Sequence, residues 1–176
     1  MSVCAVRKTD KFIELSCDTQ LTCDTTISSE FLDSSKMFEK NGMIVAGAGP
    51  IREINMLKIF MEKNLIGEPT EENILMFMFD FQQFKQQMGL PPEIECQFIL
   101  ILGNKVFSVI QGEVLEIPRF YAIGSGQDFA QAALYLGHTT EQSVKVACNL
   151  NVYCHEPVKT ITTVSYTHLR AHETCA

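Results

Sequence analysis

Apolar residues in this chain repeat at two different periods, and the order of the two constrains the fold more than any other feature. From Val3 to Asp18 they recur at every second position, with Ile13, Leu15 and Cys17 alternating against Glu14 and Ser16, the spacing of a strand with one face turned inward. From Ile51 to Met88 they recur at three and four positions, as on one face of a helix. Short apolar runs return between Cys96 and Ile123, and helical spacing returns between Phe129 and Leu150. Strands, two helices, strands, two helices and a closing strand can bury all these faces together only if two sheets stack on each other with helices outside. The expected architecture is a four-layer α+β sandwich.

The local signals refine this order. Two short strands flank a polar turn at Arg7 to Lys11, a polar loop is expected from Thr22 to Asp33, and Lys36–Glu39 and Met43–Gly47 pair across the Asn41-Gly42 turn. Ile51, Ile54, Leu57, Met61 and Leu65 predict one helix, with Pro50 suited to its first turn. The next is capped by Thr70, carries Glu71 and Glu72 at its positive end, and lines one face with Ile74, Phe77, Phe81, Phe84 and Met88 before Gly89 and Pro91 stop it. Turns at Gly103-Asn104 and Gln111-Gly112 divide the second strand set. Thr139 and Gln142 have capping-box spacing ahead of Glu141–Leu150, and a last strand covers Val158–Thr162. No internal repeat is evident.

At 176 residues the chain has room for one well-buried domain. A net charge of -7 without clustered Lys and Arg argues against nucleic acid and anionic membrane surfaces as partners. The longest apolar runs, Ile74–Phe79 and Phe98–Leu102, are too short to cross a bilayer, and the opening MSVCAVRK lacks the apolar segment of a secretory signal. Seven cysteines form an odd set with no CxxC pair, which suits buried reduced thiols and a cytoplasmic protein. Cys148, Cys154 and His155 match no common zinc spacing, so no metal is expected. The final stretch VSYTHLRAHETCA departs from the preceding pattern and reads as a non-native tail; the domain is taken as 2–163, and His168, His172 and Cys175 carry no functional weight.

Three features are unusual for a generic sandwich. A small hydroxyl residue, Ser2, follows Met1; Ala46-Gly47-Ala48-Gly49 and Gly124-Ser125-Gly126 each make a glycine-rich turn from strand to helix. Such turns can cradle phosphate, but neither completes GxGxxG or ends in GK[ST], so no nucleotide cofactor is expected.

Taken in order, these features resemble the N-terminal-nucleophile (Ntn) hydrolases of the proteasome and HslV group, and among them the small proteasome-like proteins of bacteria and phages. FYAIGSGQDFAQAALYLGHTTEQSVKVACNLNVYCHEPV is similar to the family's GSG turn, two helices and closing segment; SVCAVRKTDKFIELSCDTQLT is similar to its nucleophile strand and return strand. The resemblance implies the αββα fold and a peptidase whose nucleophile is the first residue of the mature chain. Ser2 takes that place once Met1 is removed, its hydroxyl attacking and its own α-amine accepting the proton, an amine that titrates at about pH 8 in free chains. It further implies that Asp18 pairs with Lys36 beside the nucleophile, that the Gly47 backbone N–H holds the oxyanion, and that Ser125 supports the amine. The partners implied are a polypeptide substrate, further copies in a homo-oligomeric ring, and a separate ATP-driven unfoldase that this sequence does not encode. The chain departs from the family in having Ser for the usual Thr, the amides Asn149 and Asn151 where an aspartate is common, and a longer interval from Asp18 to Lys36. A catalytically silent structural homologue and an Ntn amidase acting on a small molecule remain alternatives from the sequence.

Overall fold

The computed structural model describes residues 2–23, 26–28 and 36–164. Strand β1 (Val3–Lys8) turns through a Thr9-anchored bend into β2 (Phe12–Asp18). The Thr9 hydroxyl donates to the Phe12 carbonyl at 3.0 Å and accepts from the Phe12 N–H at 3.0 Å. Instead of the expected loop, β3 (Leu21–Cys23) and β4 (Thr26–Ser28) form a two-stranded ribbon, paired antiparallel from Leu21↔Ser28. Threonine and serine are polar by composition, yet threonine's branched Cβ favours extended backbone. The rest of the expected loop lies outside the described residues.

Next come β5 (Met37–Lys40), β6 (Met43–Ala48), α1 (Ile51–Phe60) and α2 (Glu71–Gln87). Then follow β7 (Gln97–Leu102), β8 (Lys105–Ile110), β9 (Glu113–Glu116) and β10 (Phe120–Gly124), and finally α3 (Gln127–Tyr135), α4 (Thr140–Leu150) and β11 (Val158–Val164). One sheet runs β10-β1-β2-β11 and the other β5-β6-β7-β8-β9, antiparallel throughout. The four expected layers are present. Pairing continues one residue beyond the expected domain end, with Val164 opposite Phe12; residues 165–176 lie outside the described residues. Among the described residues no helix is long and apolar enough to cross a membrane.

The layers explain why the central strands lack a polar face. In β6, Met43 and Val45 pack toward α1 and α2 while Ile44, Ala46 and Ala48 face the other sheet. In β1, Cys4 and Val6 face the inter-sheet core while Val3 and Ala5 meet Ala130, Leu134, Val144 and Ala147 of α3 and α4. A strand covered on both sides reads as a continuous apolar run.

Both N-caps read from the sequence are formed. Thr70 accepts from the Asn73 N–H at 3.2 Å, and Thr139 with Gln142 makes the reciprocal capping box. Two helical faces end earlier than expected. The carbonyls of Phe60 and Met61 are taken by the side-chain amides of Asn64 and Asn41, at 2.8 and 2.6 Å, so α1 stops at Phe60 and Leu65 lies beyond it, 72% exposed. Met88 is the C-cap of α2 and is exposed. Gly89 follows at φ +76°, the left-handed conformation that ends a helix.

Phe81 is fully buried, its ring centroid 5.5 Å from that of Phe60. Phe81→Ala is expected to lower stability by about 3–5 kcal/mol, measured as a shifted urea midpoint; a loss below about 1 kcal/mol would mean that α2 does not close this layer.

Candidate active site

Ser2 sits at the start of β1 with only 2% of its surface exposed, and the main chain holds it there. Its carbonyl accepts from the Ser125 hydroxyl at 3.2 Å and from the Gly126 N–H at 3.4 Å. Gly124, paired with Val3, has φ +92°, and a Cβ there would collide with the Ser2 carbonyl oxygen and stand 3.0 Å from the Ala48 methyl. The glycine therefore meets both a backbone and a packing requirement. At Gly126 a Cβ would lie 2.8 Å from the Cys154 sulfur, so the GSG turn is pressed against the segment after α4.

Asp18, the last residue of β2, lies one strand over. One carboxylate oxygen accepts from the Val3 N–H and from the Lys36 ammonium, both at 2.9 Å; the other accepts from the His155 N–H at 3.4 Å. The side chains of Lys36 and Asp18 are 3% and 0% exposed. Such a pair holds because its remaining hydrogen-bonding capacity is filled, here by two main-chain donors. The ammonium thus shares a carboxylate oxygen with the peptide N–H that follows Ser2, its charge compensated by that carboxylate.

Gly47 is placed differently from expectation. Its N–H donates to the Lys36 carbonyl at 2.8 Å, and its own carbonyl receives the Cys4 thiol at 3.7 Å. Its N–H is thus engaged with the residue ahead of β5 in this arrangement. A Cβ there would lie 2.7 Å from Ile54 Cγ1, so the glycine instead lets α1 sit close on the sheet. The open pocket of about 320 Å³ at Ser2 is lined instead by its neighbours Ala48 and Gly49, with Glu95, Gln97, Gly124, Ser125 and Gln127.

Hydrogen bonding thus links the Ser2–Val3 main chain, Asp18, Lys36 and Ser125, and brings in Gln97, which the sequence did not single out, and Asn151, which it marked only as an amide where an aspartate is common. The Gln97 side-chain oxygen accepts from the Gly124 N–H at 2.8 Å; its one signal is a polar residue opening the apolar run FILIL. Asn151 donates its side-chain amide to the Ser125 carbonyl at 2.6 Å and accepts from the Tyr153 N–H at 2.9 Å. A neutral amide is suited to bracing the GSG turn in this way, because it can donate to one carbonyl while accepting from an N–H.

Cys154 and Cys148 flank this region without being nucleophiles. Burial, reinforced by the negative charge of Asp18, pushes Cys154 up to about 11 and Cys148 up to about 12, so both are neutral thiols at physiological pH. A thiol whose folded-state value is raised adds stability below its ordinary value of 9.0 and loses it as pH rises toward the folded value.

The stacked sheets, the outer helix pairs and a residue at the head of the first strand define the fold of the proteasome and HslV type of Ntn hydrolases. Solved structures share it. A BPH from Thiobacillus denitrificans, in complex with epoxomicin, superposes with a TM-score of 0.87 at 16% identity, covering 93% of this chain and 99% of that one. The eukaryotic HslV from Trypanosoma brucei gives 0.71 at 20% identity, covering 92% and 98%. Anbu, an ancestral beta-subunit from Yersinia bercovieri, gives 0.68 at 12%, covering 91% and 80%. No family model matches the sequence, nor does any curated protein.

Two outcomes test the geometry. Asp18→Asn leaves a buried ammonium without its counter-charge and is expected to cost about 3–5 kcal/mol in chemical denaturation. Lys145→Ala, which removes an exposed helical ion pair with Glu141, should leave the denaturation midpoint almost unmoved; equal losses would refute the buried network. Stability should also fall between pH 9.0 and about 12 as the two thiols ionise on unfolding, and a Cys148→Ala/Cys154→Ala double variant should show a shallower fall in a urea titration series.

Proposed function

We propose that this protein is an Ntn peptidase subunit that hydrolyses peptide bonds through an acyl-enzyme on Ser2. The observation that carries the reading is the buried Asp18–Lys36 pair bound to the main chain beside Ser2, in a fold shared with proteasome-type hydrolases. With Met1 removed, the Ser2 hydroxyl oxygen bonds to the scissile carbonyl carbon as its proton passes to the α-amine of Ser2. The tetrahedral intermediate collapses, the C–N bond breaks, and the leaving amine takes that proton, leaving an ester on Ser2. Water then attacks the ester, giving a proton to the α-amine, which returns it to the departing serine oxygen.

Within this reading the Lys36 ammonium favours the neutral amine by like-charge repulsion, and Asp18 fixes the ammonium and the first peptide N–H together. Ser125, braced by Asn151, positions the Ser2 carbonyl and with it the backbone of the nucleophile. Gly47 serves as oxyanion donor only if substrate binding draws its N–H away from the Lys36 carbonyl. The family resemblance of the sequence supports polypeptide as the substrate, a homo-oligomeric ring as the working form and an ATP-driven unfoldase as a separate partner, and the fold shared with HslV and BPH is in keeping with it. The odd cysteine set supports a reducing, cytoplasmic setting. The engaged Gly47 N–H favours one second reading, a silent homologue that keeps the fold for assembly.

Intact-mass and peptide mapping before and after exposure to a peptide epoxyketone separates the two. The peptidase reading expects a chain lacking Met1 and modified at Ser2, with modification lost in Ser2→Ala and strongly slowed in Lys36→Met. A retained Met1, or a free Ser2 that stays unmodified under conditions that label an active proteasome, establishes the silent homologue.

A further inference from the structure

The pocket at Ser2 has one charged residue among the described residues that line it, Glu95. Its other walls are the small residues of the two glycine-rich turns and the amides Gln97 and Gln127. Lys36, the cation of the candidate site, is buried and already neutralised by Asp18, and on the far side of Glu95 Lys85 is neutralised by Glu53 while Arg52 lines an adjoining depression outside this pocket. The described lining beside the proposed nucleophile thus carries one negative charge and no positive one, in a protein whose net charge is itself -7, and a concave site lined by one sign of charge gathers ligands of the other.

Glu95 is held at this rim by a device outside the candidate site. Glu53 of α1 and Lys85 of α2 form a second buried ion pair, with side-chain exposures of 5% and 6%. The Glu53 carboxylate accepts from the Glu95 N–H at 3.0 Å and the Cys96 N–H at 2.6 Å, while the Lys85 ammonium also binds the Glu93 carbonyl. Cys96 in turn packs on Gly49, where a Cβ would lie 2.6 Å from its sulfur. Residues 93–96 are thus fixed to both outer helices on one side and to the pocket floor on the other. Glu95 uses its main-chain N–H for anchorage, and the residue is exposed and lines the pocket.

We infer that this pocket is a substrate subsite that prefers a basic side chain, lysine or arginine, with Glu95 as the specificity-determining residue. The assignment rests on the reading of Ser2 as nucleophile, and it names the substrate class of that same site.

Binding to the Ser2→Ala protein tests it without needing chemistry. The probes are fluorescein-labelled octapeptides of alanine and glycine carrying a single Lys, Gln or Glu at each position in turn, read by fluorescence anisotropy. At one position the Lys peptide is expected to bind about three- to fivefold tighter than its Gln counterpart, a preference that fades toward about 0.5 M salt. Glu95→Gln should erase the preference, and Glu95→Lys should transfer it to the Glu peptide. Equal affinities at every position, no measurable binding, or a preference unchanged in Glu95→Gln would overturn the subsite. Cleavage of these peptides by the Met1-free wild type without charge preference sinks the subsite alone. Charge-selective binding with no cleavage by that protein sinks the peptidase reading and leaves the subsite standing.

Discussion

One carboxylate joins three parts of the chain that lie far apart in sequence. Asp18 takes the Val3 N–H, the Lys36 ammonium and the His155 N–H, so β1, the approach to β5 and the segment after α4 all converge on it. A buried ionic group of this kind adds little net stability over an apolar replacement, but removing one partner leaves an uncompensated charge in a low-dielectric interior. The convergence is therefore held by the penalty on every alternative, and that penalty fixes the backbone at Ser2. The candidate site needs this kind of constraint, since chain ends are otherwise the least ordered part of a domain.

A parallel arrangement supports the opposite wall. Glu53 and Lys85 bind the main chain of residues 93–96 as Asp18 and Lys36 bind that of Val3. Each pair places its charges under a glycine-rich turn from strand to helix, where small residues let main chains approach to contact. Between them the sheets contribute mostly apolar surface: Ile99, Ile101, Ile123 and Leu15 in the inter-sheet cluster. The sandwich supplies the burial, and the two ionic pairs select the register in which the turns face each other.

The layer order was legible because it depends on period, and period survives without knowledge of partners. Phe77 and Phe81 on α2, or Ile13 and Leu15 on β2, announce their faces by spacing alone. The β3–β4 ribbon was not legible, because its threonines and serine look like loop composition. Ser2, Asp18, Lys36 and Ser125 came from the resemblance and not from spacing, since residues joined across 15 or 18 positions leave no local pattern. The roles of Gln97, Asn151 and His155 act on or through main-chain groups, which a sequence does not display. Glu53 and Lys85 did leave a signal: each falls on an otherwise apolar helical face, Lys85 four residues after Phe81. A charge in a core stripe points to a buried partner.

Ser2 is gripped by its carbonyl, through Ser125 and Gly126, and by the peptide N–H that follows it, through Asp18. Neither contact involves the side chain. Placement is consequently carried by the main chain of this residue, and its hydroxyl has no share in it. Evolution can exchange the hydroxyl for a thiol or a secondary alcohol, or discard it, without redesigning the socket, so a lineage built on this scaffold is free to move between catalyst and scaffold by a single codon.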